Sequence, residues 1–257
     1  AAAVSDLAAM GARPLGFTLA LTLPFSDADW LAAFAAGLAQ AAADHQINLI
    51  GGDTTRGPLN LGFTVLGQVE TGRALHRSGA CVGDLLCVGD SLGDGGAELH
   101  LAMMRPLPAE LTARQRDYLH QRFWRPRAQI ELGLLLRDRA SAALDISDGL
   151  LADAEHLAAA SGVAVHIDVA ALPANPALLA WPEDVHRNWM LSGGDDYRLL
   201  FTLPEDDFDP LCRLQPQVRA IGRIHAGEGV WLDQGAGAEQ VTATGYQHFA
   251  PARAGET

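Results

Sequence analysis

Apolar runs, cut by Gly, Pro and Ser/Asp clusters, divide this chain into strand-like and helix-like segments. Val4–Gly11 reads as the end of a helix closed by Gly11. Gly16–Leu23 reads as a strand stopped by Pro24. Ser26-Asp27-Ala28-Asp29 is a helix-start signal, and the Ala/Leu stretch after it predicts a long helix to about His45. Ile47–Ile50 predicts a short strand delivering Gly51-Gly52-Asp53, and Leu61–Val69 alternates like another strand. From Gly72 to Gly83 the pattern breaks into Gly and Arg residues, which places a domain boundary there, between residues 1–80 and 81–257. The second part opens with a strand, Leu85–Val88. A glycine-rich turn and a helix near Ala97–Met104 follow, then helices around Ala113–Phe123 and Ala128–Arg139. Ala142–Ile146 predicts a strand, with Ser147-Asp148 placed to cap a helix from Leu150 to Ala160. Val163–Ile167, Tyr197–Leu203 and Arg219–Ile224 read as further strands, with Pro173–Pro182 a loop and a short helix from Asp206. The tail to Phe249 reads as short strands and loop. Strands and helices mixed in this order predict an α/β and α+β chain.

Composition narrows the function. All 18 Lys+Arg residues are arginine. A chain without lysine has neither the P-loop lysine nor a lysine Schiff base. A net charge of −13 argues against nucleic acid or an anionic membrane as partner. No apolar run is long enough to span a bilayer. Cys81, Cys87 and Cys212 form no CxxC pair, which fits free thiols in a reducing cytoplasm. The histidines show no zinc spacing, there is no G-x-S-x-G elbow, and Gly89–Gly96 does not satisfy G-x-G-x-x-G. Phosphate, if it is bound, must be met by aspartate-held metal ions, backbone N–H groups and Arg.

Three acidic motifs carry that chemistry. Asp145-Ile146-Ser147-Asp148-Gly149-Leu150 places two carboxylates three residues apart where a strand meets a helix. There Ser147 and N–H groups can meet phosphate while the aspartates hold Mg²⁺. The plain alternative is an N-cap with a second acid favoured by the helix dipole. Gly51-Gly52-Asp53-Thr54-Thr55-Arg56 offers close backbone approach, a metal-binding carboxylate and an anion-pairing arginine; the alternative is a tight turn. Leu191-Ser192-Gly193-Gly194-Asp195-Asp196-Tyr197 repeats the double glycine before a carboxylate. Arg77, in the Arg- and Gly-rich stretch, is a phosphate clamp or one of a solvated charge cluster.

Together and in this order, these motifs resemble the thiamine-monophosphate kinases. Ser5–Ala12, Leu49–Pro58, Gly72–Leu75, Arg77–Ala80 and Gly245–Phe249 extend the resemblance over nearly the whole chain. The family is grouped with aminoimidazole ribonucleotide synthetase and selenophosphate synthetase. The resemblance implies an N-terminal α/β domain that pairs into a homodimer, and a C-terminal α+β domain folded against it. It also implies that Asp6, Asp53, Asp145 and Asp148 ligate several Mg²⁺ ions, that Gly52, Asp53, Arg77 and Ser147 contact ATP, and that Asp195 and Tyr246 contact thiamine monophosphate. The chain departs from the family pattern at Asp195, where Glu is usual, and at Arg198, where an acid is usual. It lacks an initiator Met and begins downstream of a family segment with a Gly-Asp-Asp motif, so truncation at the N-terminus is expected. The implied reaction carries the ATP γ-phosphoryl group to an acceptor phosphate. A sister ATP-dependent enzyme of the superfamily, activating an amide or selenide, and a non-catalytic MgATP-binding protein are the alternatives.

Overall fold

The computed structural model describes residues 1–106, 108 and 111–242. The chain opens with α1 (Ala2–Ala9). Gly11, at φ +64°, closes this helix in a Schellman turn, with Ala12 N donating to Leu7 O and Gly11 N to Ala8 O, both at 2.9 Å. Strand β1 (Arg13–Leu23) follows, then α2 (Ala28–Asp44), β2 (Asn48–Arg56) and β3 (Asn60–Gln68). The predicted start signal caps α2: Asp27 Oδ1 accepts from Asp29 N at 3.0 Å and Trp30 N at 3.1 Å. These strands form a three-stranded sheet in the order β2-β1-β3, parallel between β1 and β2 and antiparallel between β1 and β3.

One expectation is corrected here. The Gly51-Gly52-Asp53 segment is not a turn after a short strand. It lies inside β2, which pairs with β1 all the way to Leu23–Arg56. A register shift between Phe17 and Thr18 accommodates the extra residue. Gly52 takes φ +153°, and a Cβ there would sit 2.1 Å from Leu19 O. The neighbouring strand alone therefore demands glycine at this position.

The rest of the chain is β4 (Leu85–Val88), α3 (Asp94–Ala102), α4 (Ala113–Trp124), α5 (Ile130–Leu136), β5 (Ala142–Ile146), α6 (Leu150–Ser161) and β6 (Ala164–Asp168). Then come α7 (Glu183–Ser192), β7 (Arg198–Leu203), α8 (Glu205–Leu214), β8 (Arg219–His225), β9 (Gly229–Asp233) and β10 (Ala238–Val241). The strands build one sheet in the order β10-β9-β6-β8-β4-β7-β5, antiparallel except for the β6–β9 pair. Every residue of β7 is buried, because the sheet is covered on both faces. Leu144, Ile146, Leu200 and Ile221 pack on one face with Leu150 and Leu157 of α6. Ala143, Leu199 and Phe201 pack on the other with Ala8 of α1, Leu132 and Leu136 of α5 and Leu211 of α8. Helix α1 thus belongs to the first part of the chain but docks on the second sheet. At its contact with α5 a Cβ on Gly133 would lie 2.1 Å from Ala8 O.

A second link between the two parts is His45, the C-cap of α2 and only 4% exposed. Its Nδ1 meets Ala41 O at 2.8 Å, and its Nε2 accepts from Ala128 N at 3.2 Å. Burial lowers its pKa, so the folded state prefers the neutral ring that the Ala128 bond requires. The stability this link contributes is present above the free-histidine pKa of about 6.5 and falls as pH drops below it. Urea midpoints measured from pH 7.5 to 5 are expected to show this slope, and His45→Phe is expected to flatten it.

Candidate active site

The C-terminal ends of β4 and β5 and the N-terminal end of β7 lie at the same end of the seven-stranded sheet, because β7 runs antiparallel to both neighbours. Three connections meet there: Gly89–Gly93 before α3, Ser147–Gly149 before α6, and Gly193–Tyr197 after α7. They pack backbone against backbone. A Cβ on Gly95 would sit 2.4 Å from Gly194 O, and one on Gly194 would sit 2.6 Å from Ser147 O. Asp195 N donates to Ser147 O at 3.0 Å and Tyr197 N to Ile146 O at 2.8 Å.

The two adjacent aspartates of the last connection point to different tasks. Asp196, 1% exposed, accepts from Gly93 N at 2.7 Å and Gly95 N at 3.1 Å, tying the connection to the start of α3. Burial, with Asp94 nearby, pushes its pKa up to about 7. Asp195 is exposed and held at φ +63°, a conformation costly for a residue with a Cβ. The Tyr197 hydroxyl donates to its Oδ1 at 2.8 Å. Burial raises the Tyr197 pKa, and the charges of Asp195, Asp145 and Asp148 raise it further.

Asp145 is the penultimate residue of β5, beside α1. Burial raises its pKa and Asp6 adds to the rise, while Ser5 and Arg77 oppose it. Asp6, Arg77, Asp145, Asp148, Asp195 and Tyr197 therefore form one electrostatic group. The capping expected of Ser147 and Asp148 is corrected: the N-cap of α6 is Gly149, with no side-chain cap bond. Asp153, one turn into that helix and 4% exposed, instead accepts from Ser147 N at 3.0 Å and Asp148 N at 3.2 Å. Those two N–H groups are consequently not available to phosphate, leaving the Ser147 side chain. Burial pushes the Asp153 pKa up to about 7, with Asp148 and Asp145 adding to the rise.

Gly52 and Asp53 stand on the other sheet, where Asp53 Oδ1 accepts from its neighbour Thr54 N at 2.8 Å on an exposed strand. Tyr246 lies outside the described residues. Among those described, no three His, Cys, Asp or Glu side chains are gathered into a group able to hold a metal ion. No described helix is long and apolar enough to cross a membrane.

A cavity of about 940 Å³ opens beside the three connections. Its lining includes Ser147, Asp148, Asp195 and Tyr197, and also Leu99, His100, Met103 and Trp189. The sequence reading gave no role to Asp153, Asp196, Tyr197 or Trp189, and it missed α7 altogether. Pro182 followed by Glu183-Asp184 was the available helix-start signal for α7.

Comparison with known proteins gives consistent matches. Residues 1–69 match the N-terminal domain, and residues 82–232 the C-terminal domain, of the AIR synthase related protein family. Over 203 residues the chain is 47% identical to thiamine-monophosphate kinase of Salmonella typhimurium, covering 79% of this chain and 62% of that protein. It is 41% identical to the Escherichia coli thiamine-monophosphate kinase, covering 96% of this chain and 77% of that protein. Among solved structures, thiamine-monophosphate kinase from Stenotrophomonas maltophilia superposes with a TM-score of 0.84 at 46% identity, covering 91% of this chain and 77% of that one. AaThiL complexed with AMPPCP and TMP also gives 0.84, at 33% identity, covering 96% and 77%. Escherichia coli HypE, at 21% identity and a TM-score of 0.75, shares the fold.

Proposed function

The chain belongs to the thiamine-monophosphate kinase family, and from that membership we propose that it transfers the γ-phosphoryl group of ATP to thiamine monophosphate, giving thiamine diphosphate and ADP. The observation that supports this most is that Ser147, Asp148, Asp195 and Tyr197 line one cavity of about 940 Å³, with the Asp145 and Asp148 charges both felt by Tyr197.

The chemistry suits such a site. The second pKa of a phosphate monoester is about 6, so the acceptor is largely ionised at neutral pH and needs no general base. An acceptor phosphate oxygen attacks the γ-phosphorus, the bond to the β–γ bridging oxygen breaks, and ADP leaves with that electron pair. Positioning and charge balance are left to the protein. Arg77 would clamp ATP phosphate, and Ser147 and the Gly52–Asp53 backbone would contact the nucleotide. Asp195, with Tyr246, would hold the acceptor.

The donor set is entirely carboxylate oxygen, the chemistry hard divalent cations prefer; burial raises the pKa of Asp145 and the neighbouring Asp6 charge adds to the rise, so a cation beside them would be favoured. Asp6, Asp53, Asp145 and Asp148 would hold Mg²⁺, which when bound neutralises the repulsion between the two phosphate-bearing substrates. ADP release measured with thiamine monophosphate, thiamine and formylglycinamidine ribonucleotide tests the proposal. Turnover with thiamine monophosphate alone supports it. MgATP binding without ADP release from any acceptor overturns it.

We also assign the three-stranded sheet to a homodimer contact. Leu61 and Phe63, which share one face of β3, are 41% and 42% exposed, an apolar surface that a second copy of this chain would cover. Sedimentation equilibrium is expected to give twice the chain mass, and Phe63→Asp is expected to give the single mass. With Cys81, Cys87 and Cys212 all free, the proposed location is the cytoplasm.

A further inference from the structure

The aromatic wall of the cavity has a use that the aspartates do not explain. Trp189, on α7, meets Trp181 edge-on at 5.1 Å and 76°, and His100 at 5.4 Å and 61°. From α3, Gly96 comes so near that a Cβ there would lie 2.9 Å from the indole. Trp181 is buried, whereas Trp189 is only partly buried and lines the cavity. The indole is therefore locked in place on its core side and presented to the cavity on the other, as a preorganised recognition surface requires. Asp148 and Asp195 line the same cavity, and among the described lining residues the guanidinium is that of Arg105. Two carboxylates against one guanidinium leave this lining net negative.

We propose that Trp189, backed by Trp181 and His100, forms with Asp195 a charge-selective clamp for a cationic heteroaromatic ring. This rests on the reading that the acceptor is thiamine monophosphate, whose thiazolium carries a permanent positive charge. The electron-rich face of an indole attracts a cation, and a carboxylate lining the same cavity adds to the attraction. A neutral ring of the same shape gains neither term. Trp189 is then a specificity-determining residue: it binds the part of the acceptor that does not react and distinguishes it from uncharged analogues.

Calorimetry on the full chain with AMPPCP present tests this, using thiamine monophosphate and its deaza analogue, in which a neutral thiophene replaces the thiazolium. The wild-type chain is expected to prefer the charged ligand by roughly tenfold. Trp189→Leu is expected to lose most of that preference while AMPPCP affinity stays unchanged, and Trp189→Phe to retain most of it. Equal affinity of the wild type for both ligands overturns the clamp without any variant. A Trp189→Leu protein that keeps the full preference also overturns it. If the wild type binds AMPPCP but neither thiamine ligand, the acceptor assignment itself falls, and the clamp with it.

Discussion

Asp148→Asn is expected to lower kcat by on the order of 10³-fold or more while leaving the fold intact. The side chain is partly exposed at the mouth of the β5–α6 connection. The position of that connection does not depend on the Asp148 carboxylate, because Asp153 holds the Asp148 backbone N–H from within α6. Asn has nearly the same shape and keeps one acceptor oxygen, so the exchange removes charge and little else. Removing the charge also relieves Asp153, a buried carboxylate whose pKa burial raises and the Asp148 charge raises further. The melting temperature of the ligand-free variant is therefore expected to be unchanged or slightly higher. Coupled measurement of ADP release, with a thermal melt on the same sample, checks both halves. Near-wild-type turnover would remove Asp148 from the reaction.

The second large effect is on stability. In Gly133→Ala the new methyl would sit 2.1 Å from Ala8 O and 2.9 Å from its carbonyl carbon. The obstacle is backbone, not the end of a flexible side chain, so one helix must move. Ala is the better residue in a helix interior by up to about 1 kcal/mol. Overpacking a tight contact costs about 1–3 kcal/mol, and a carbonyl this close places the site at the upper end. The net loss is expected to be about 2 kcal/mol, read as a lower urea midpoint. Activity is expected to fall as well, because the displaced helix α1 carries Asp6 and Ser5 to Asp145. A variant with wild-type midpoint and turnover would show that the α1–α5 contact is softer than described.

Much of this was legible from the residue order, and the misses have physical causes. β4, β5 and β8 were read to within a residue: β4 is an apolar run between Asp84 and Gly89, and β5 and β8 carry short stretches of apolar residues bounded by polar ones. α2 announced itself through Asp27. The Gly51-Gly52 pair reads locally as a turn, but β1 is long enough to hold the whole motif in register, and a long-range partner overrode local propensity. α7 was missed because it is polar overall, with only His186 and Met190 buried. Ser147 looked like a cap because hydroxyl and carboxylate precede a helix, yet the group that satisfies those N–H bonds comes from Asp153 farther along the chain. Nothing in the order Asp195-Asp196 shows that one is exposed and the other anchors α3. That distinction exists only once Gly95 and Gly194 have come together.

Because α1 lies between its own strands and Leu199, Phe201 and α5, the linker near residue 75 is a poor place to divide the molecule. Residues 81–257 made alone would carry a bare greasy trough where α1 had sat, and the short leading piece would lose its anchor. The protein should consequently melt as one body, and a cut in that linker should leave two fragments that still cling together.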